Sequence, residues 1–271
     1  MKTQKFISFI ITLFFSLSSF SQTSELTKTD EFFKNGKMVY NINYRGQNIG
    51  EFWPVSGMQL VTNQTHPELF QRNVDMKIMH QRLGSLADAP DGMTSASTGV
   101  TEGRCLAQGI ECGTGEFKNY GIIIVEDGFK ITFTHKQELA GNFDAVYNFH
   151  KRNGNTVFFL PSIKRTDLTG KVHMMANSTT VGRLLVRRET PDGPQIGMIV
   201  LDQLITYADA IALMDGLDRY YNNGQPKSWT THIYYLDGGD QFGQCAKEVN
   251  GTVKTVGKRI PGLNSNYIAC Y

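Results

Sequence analysis

The chain is short of charge of either sign. Asp, Glu, Lys and Arg make up 19% of its 271 residues, and apart from Lys2 and Lys5 its 25 remaining basic side chains face 25 acidic ones. A formally neutral chain has no general electrostatic drive toward nucleic acid or an anionic membrane, so no nucleic-acid partner is expected. Beyond residue 21 no apolar run approaches the ~18 residues that a membrane span requires, and stable membrane insertion is not expected either. There are four cysteines, none in a C-x-x-C pair, which argues against a structural zinc site. The G-x-S-x-G, H-E-x-x-H and Walker patterns are absent. His66, His80, His135, His150, His173 and His232 are scattered without metal-ligand spacing. No cofactor and no metal are therefore expected, and no long linker or internal repeat divides the chain.

What is present begins with residues 1–21, MKTQKFISFIITLFFSLSSFS. Lys2 and Lys5 form a positive leader, Phe6 to Phe15 is almost wholly apolar, and Ser19 and Ser21 set small residues at the −3 and −1 positions of a cleavage site. This is the order of a secretory signal peptide, and it predicts an exported protein, secreted or periplasmic, cleaved near Ser21. Export places Cys105, Cys112, Cys245 and Cys270 in an oxidising compartment, where an even count points to two disulfides. Of the three possible pairings, Cys105–Cys112 closes a short loop and Cys245–Cys270 ties the last strand to an earlier one; these two are the expected pair.

Residues 22–271 read as a single domain. Residues 22–36 are polar and suggest a loose leading segment, and residues 84–119, rich in Gly, Ser, Thr, Asp and Ala, suggest a long loop or insertion. Met38–Tyr44, followed by Arg45-Gly46, is strand-like. Gly121–Val125 and Phe129–Phe133 flank Glu126-Asp127-Gly128 as a hairpin, and Asn250-Gly251 marks a second one between Ala246–Val249 and Thr252–Val256. Short strands are expected near Thr156–Leu160, Lys171–Met175, Thr180–Val186, Ile196–Leu201, Thr231–Leu236 and Asn266–Cys270. One helix stands out. Thr206-Tyr207-Ala208-Asp209 fits a capping box with Asp in place of Glu, and Tyr207, Ala210, Ile211, Met214 and Leu217 recur at helical spacing, with Gly216 and Asn222-Asn223-Gly224 as stop signals. Many strands and few helices make the fold class α+β, a mixed β-sheet core.

The sharpest chemical feature is Leu236-Asp237-Gly238-Gly239-Asp240. An acid at the end of a buried strand is held rigidly, and glycines after it let a ligand approach backbone N–H groups. The same text also serves as an ordinary turn. The order of segments resembles the phosphodiester glycosidase family, of the N-acetylglucosamine-1-phosphodiester α-N-acetylglucosaminidase type. The matching segments are Thr179-Thr180-Val181-Gly182, the helix from Tyr207, the strand ending Leu236-Asp237-Gly238-Gly239, the Asn250-Gly251 hairpin and the closing Tyr267-Ile268-Ala269-Cys270. The likeness covers about a third of the chain. It implies the family's fold and hydrolysis of a sugar-1-phosphodiester at the anomeric carbon, on a carbohydrate or sugar-phosphate substrate, with Asp237 as the first catalytic carboxylate and Asp240 as a second. The backbone of Gly238 and Gly239, with Thr179, Thr180 and Gly182, would then line the substrate site. Arg183, Arg187 or Arg188 would supply the cation that a phosphodiester needs.

The departures from the family pattern are specific. Ser178 stands where the pattern has Arg, Asp240 and Gln241 replace Gly and Ser, and Val61-Thr62-Asn63 is the nearest text to the early Asn-x-Gly-x-Phe. Two readings follow: an exported phosphodiester glycosidase acting on a glycan or glycolipid, or a non-catalytic glycan-binding protein on the same fold. His232 reads as a satisfied strand histidine more readily than as an acid/base, and alternation puts only one of Tyr234 and Tyr235 on a site face.

Overall fold

A computed structural model describes residues 24–71, 74–90, 104–113, 120–139, 141–161, 180–190, 193–221, 230–237, 244–257 and 266–271. The signal segment and the strand expected at Lys171–Met175 lie outside the described residues. Among the described residues the architecture is mostly β-sheet with three α-helices, consistent with an α+β fold.

Strands β1 (Ser24–Phe32), β2 (Met38–Tyr44), β3 (Gln47–Val55), β11 (Thr180–Thr190), β12 (Gly193–Thr206) and β13 (Thr230–Asp237) form a six-stranded antiparallel sheet in the order β1-β2-β3-β12-β11-β13. A second sheet, in the order β15-β14-β5-β16-β4, joins β4 (Met58–Thr62), β5 (Ala87–Pro90), β14 (Cys245–Val249), β15 (Thr252–Val256) and β16 (Asn266–Cys270). The third, β7-β6-β10-β8-β9, joins β6 (Leu106–Ala107), β7 (Ile110–Glu111), β8 (Tyr120–Glu126), β9 (Lys130–His135) and β10 (Thr156–Pro161).

Alternation along each strand explains how the three sheets meet. In the first sheet Trp53, Leu185, Met198, Val200, Tyr234 and Leu236 point one way, into a core shared with Leu60, Ala89 and Ile268 of the second sheet and with Ile123, Phe133 and Phe158 of the third. Their strand neighbours point the other way, and each outer face is covered by one helix. Phe52, Leu184, Val186, Ile199 and Leu201 meet α3 (Tyr207–Tyr221). Val61, Ala246, Tyr267 and Ala269 meet α1 (Met76–Leu83). Ile122, Ile124, Val157 and Phe159 meet α2 (Phe143–Arg152). The sheets lock where Gly121 of β8 lies under the Tyr234 ring; a Cβ there would fall 1.6 Å from Tyr234 Cε1.

Several expectations change. Residues 24–32 are not a loose lead but edge strand β1, which pairs with β2 through Leu26↔Ile42 and its neighbours. It reads as polar because its outer half is exposed at alternate positions. The expected loop at 84–119 contains β5, which lies between β14 and β16. Ala87 and Ala89 are small enough to pack inward there, so the strand lacks the bulky signature of β text. Helix α3 runs through Gly216 to Tyr221. The Cys105–Cys112 disulfide is present, but Cys245 and Cys270 are buried thiols not joined in a disulfide. The reason is topological: Cys245 is on β14 and Cys270 on β16, and β5 separates them. Two strand spacings of about 4.8 Å exceed the roughly 7 Å Cα limit for a disulfide.

Candidate functional site

Of the expected site residues, the described Asp237, Thr180, Gly182 and Arg183 lie at one end of the six-stranded sheet. Asp237 is the last residue of β13, and its Cα partner across the sheet is Arg183 of β11. Thr180 and Val181 precede Arg183 and pair with Thr206 and Ile205 at the end of β12, immediately before α3. The strand end carrying Asp237, the Thr180–Gly182 segment and the first turn of α3 therefore belong to one end of the six-stranded sheet.

Arg183 is the unusual residue here. Register shifts lie between Val181 and Arg183 against β12, and between Arg183 and Leu184 against β13. Such bulges bend a strand and re-aim a side chain. The Arg183 side chain is fully buried. Its Nη1 donates to the carbonyls of Gly182 (2.7 Å) and Leu201 (2.6 Å), and its Nε donates to Cys245 Sγ (2.9 Å). A buried guanidinium without acceptors would be costly; here carbonyl dipoles and the thiol hold it in one orientation. The site end thus contains a cation fixed one cross-strand step from Asp237.

Arg188 is not brought to this end. Alternation turns it to the helix-covered face, where its Nε donates to Gln195 Oε1 (2.6 Å) and its guanidinium lies 5.0 Å from the Phe52 ring centroid. Arg187 is opposite His232. His232 stacks on Tyr234 (6.0 Å between centroids) and contacts Phe133 (5.8 Å). Tyr234 is the core member of the tyrosine pair: fully buried, it donates to Thr134 O (3.3 Å), and burial raises its phenol pKa. Tyr235 packs on the opposite face, beside the α3 core. Thr179, Gly238, Gly239 and Asp240 lie outside the described residues, as do Ser178 and Gln241.

Two buried polar clusters escaped sequence reading. Lys247 of β14 is buried between Glu31 of β1 and Glu51 of β3, and its Nζ lies 5.5 Å from the Trp53 ring centroid. Elsewhere His80 of α1 contacts Asp88 of β5 (Nδ1 to Oδ2, 2.5 Å), and Ser85 donates to the same carboxylate at 2.8 Å. Neither set has a sequence motif, because its members come from different elements and meet only through sheet pairing.

No family model and no curated protein matches the sequence. Eleven solved chains match the structure. One is the zebrafish N-acetylglucosamine-1-phosphodiester alpha-N-acetylglucosaminidase catalytic domain, auto-inhibited by its pro-peptide. It shares 11% identity at a TM-score of 0.53, covering 94% of this chain and 84% of that one. This is a distant relation of fold.

Proposed function

We propose that this chain is an exported hydrolase that cleaves a sugar-1-phosphodiester on a glycan or glycolipid, with residues 22–271 acting as one unit. The observation that carries the reading is the pairing of Asp237 with Arg183 at one sheet end, on a fold that resembles a phosphodiester glycosidase domain. Asp237 serves as the carboxylate that stabilises the oxocarbenium-like centre or activates water, with Asp240 as a second. The backbone N–H groups of Gly238 and Gly239, with Thr179, Thr180 and Gly182, receive the sugar phosphate. Arg183 supplies a fixed positive potential at the strand end that carries Asp237. Export is supported by the charged–apolar–small order of residues 1–21 and by the Cys105–Cys112 disulfide. Among the described residues no helix is long and apolar enough to cross a membrane.

The test is turnover by the mature protein on a panel of sugar-1-phosphodiesters. Asp237→Asn, with its fold verified by circular dichroism, is expected to lose about 10²-fold or more in kcat. Unchanged turnover removes Asp237 from the chemistry. A second reading, glycan binding without turnover, is supported by one observation: Arg183 spends Nε and Nη1 on internal acceptors. Saturable binding of a panel member without hydrolysis by the unaltered protein would select it.

A further inference from the structure

A pocket of about 380 Å³ opens where the second sheet meets the third. Its walls come from β4, the β6–β7 turn, β10, the β8–β9 turn and Tyr271, and none of them belongs to the strands that carry Asp237 and Arg183. It lies at the far end of β8 from Gly121, on which the Tyr234 ring of β13 packs. Backbone hydrogen bonds set these walls in place. Met58 N donates to Gly128 O at 3.0 Å, and Tyr271 and Gly57 exchange N–H to O bonds of 2.8 Å in both directions. Gln108 N donates to Thr156 Oγ1 at 3.1 Å. Phe129, on the β8–β9 turn, is 68% exposed. Its ring is seated against the Gly57 backbone: a Cβ on Gly57 would fall 2.9 Å from Phe129 Cδ1 and 2.6 Å from Gly128 O. Only glycine at 57 lets the turn sit this close. Backbone strain is concentrated here as well. Of the four non-glycine residues with positive φ among the described residues, Gln108 (53°) and Asp127 (52°) both line this pocket. Aspartate is at home in that region at a hairpin turn; glutamine is not. A turn that keeps Gln108 where Gly, Asn or Asp would relax the backbone holds strain of the kind found at ligand clamps.

We propose that this pocket binds a sugar ring of a neutral glycan, at a second site apart from the one assigned to hydrolysis. The chemistry of the wall carries the assignment. Met58 and Val125 are buried and give it apolar surface, and Phe129 and Tyr271 add two aromatic rings. The negative face of an aromatic ring attracts the weakly positive C–H bonds on one face of a pyranose. Beside the rings stand Gln59, Gln108 and Thr156, neutral groups that both donate and accept, as neighbouring hydroxyls require. They have capacity to spare. Gln59 Oε1 accepts from the Tyr271 hydroxyl at 3.3 Å, which leaves the Gln59 amide N–H groups to donate. Thr156 Oγ1 accepts from Gln108 N, which leaves its own proton to donate. Asp127 is the only charged side chain among the described lining residues. A carboxylate without a cation disfavours phosphates, sulfates and carboxylates by like-charge repulsion. A quaternary ammonium suits a cage of aromatic rings, and here it would leave the two amides and the hydroxyl unused. The volume lies within the roughly 300–1,000 Å³ of small-molecule sites, which are mostly apolar with a few convergent polar groups. No sequence motif announces the pocket, because its walls are brought together from two sheets.

The test titrates the ¹⁵N-labelled mature chain with glucose, galactose, mannose and N-acetylglucosamine, as methyl glycosides and as disaccharides, and separately with choline chloride and inorganic phosphate. Chemical shifts locate the binding. At least one sugar is expected to bind saturably, with its largest shifts at the side-chain amides of Gln59 and Gln108 and at the backbone of residues 127–129; choline and phosphate should leave these signals in place. Phe129→Ala, at an exposed position, should keep the fold and weaken sugar binding by about tenfold. Gln108→Gly, which relaxes the turn, should unfold at the same or a higher temperature and also bind more weakly. Asp237→Asn should bind as the unaltered protein does. Absence of saturable binding by every sugar overturns the proposal. So does an affinity unchanged in Phe129→Ala, a response centred on Thr180–Arg183 or lost in Asp237→Asn, or tighter binding of choline or phosphate at the pocket. Turnover is read in none of these arms. Sugar bound here by a protein that hydrolyses nothing upholds this site and not the hydrolase reading, and hydrolysis without binding here does the reverse.

Discussion

At the scale of single residues the decisive group is Lys247. An ammonium taken out of water is tolerated only when paired and hydrogen-bonded, and Lys247 meets Glu31, Glu51 and the face of Trp53. Glu51 is itself fixed by Trp53 Nε1 at 2.6 Å. Lys247→Met keeps the stem packed but leaves two facing carboxylates without their cation. The expected loss is roughly 3 kcal/mol, the low end for a broken buried pair, because both acids keep contact with water; urea denaturation measures it. Glu31 adds a pH signature. Partial burial is the largest influence on its carboxyl and pushes the pKa up, but the hydrogen bonds and charges of Lys247 and Lys254 outweigh it, and the net pKa lies below the ordinary 4.5. A carboxyl depressed on folding stabilises the native state above its unfolded pKa, and that contribution disappears as pH falls through the folded value. Stability should therefore drop below about pH 4.5, and Glu31→Gln should show a shallower acid drop between that pH and the acid limit. An equally steep drop in Glu31→Gln would assign the acid sensitivity to other groups.

At the scale of elements, what was legible in the sequence was whatever carries its own local signal. Asn250-Gly251 sits at φ 51° and 71°, and Asp127-Gly128 at 52° and 75°, the left-handed pairs that tight hairpins require. Both turns, and the strands they join, were readable from those dipeptides. The start of α3 was readable for the same reason. Thr206 Oγ1 accepts from Asp209 N (3.1 Å) and donates to Asp209 Oδ2 (2.8 Å), and the same carboxyl holds Tyr44 and Arg45 of the β2–β3 turn at 3.2 Å. Thr206→Ala should cost about 1 kcal/mol, and Asp209→Ala more, since it also releases the turn; paired denaturation curves decide the order. Helix α2 was missed although Phe143, Val146, Tyr147 and His150 recur at helical spacing, and two strands without local signals were missed as well: β1, polar on one side, and β5, built from small residues. Their stability comes from partners distant in sequence. The candidate site was legible only in part for a similar reason. Asp237 and Thr180–Gly182 stood out as text, but the fully buried state of Arg183 depends on two bulges and on Cys245, and the exile of Arg188 follows from strand alternation.

At the scale of the whole molecule, three sheets close on one core, and the only cross-link among the described residues ties a short loop in the third of them. Cys105 and Cys112 are seven positions apart. In the loop-entropy account such a short loop contributes roughly 2–3 kcal/mol, so reduction should weaken the fold without abolishing it. The other two cysteines are part of the core itself: Cys245 accepts from Arg183, and Cys270 packs 3.9 Å from Met198 Sδ. Burial, the largest influence, raises the Cys270 thiol pKa well above its ordinary value, with the charges of Asp88 and Cys245 adding to it. A thiol held protonated and covered is a poor nucleophile, so it resists oxidation while the fold is intact. The expected result is a count that depends on folding and reduction separately. Native protein should react with a thiol reagent at neither cysteine, unfolded unreduced protein at two, and unfolded reduced protein at four. Peptide mapping of the unreduced sample should place both labels at Cys245 and Cys270. A count of zero after unfolding without reductant would mean that these two are joined, which requires β5 to leave its place between β14 and β16; with β5 displaced, the His80–Asp88 contact and the shared core would be lost as well.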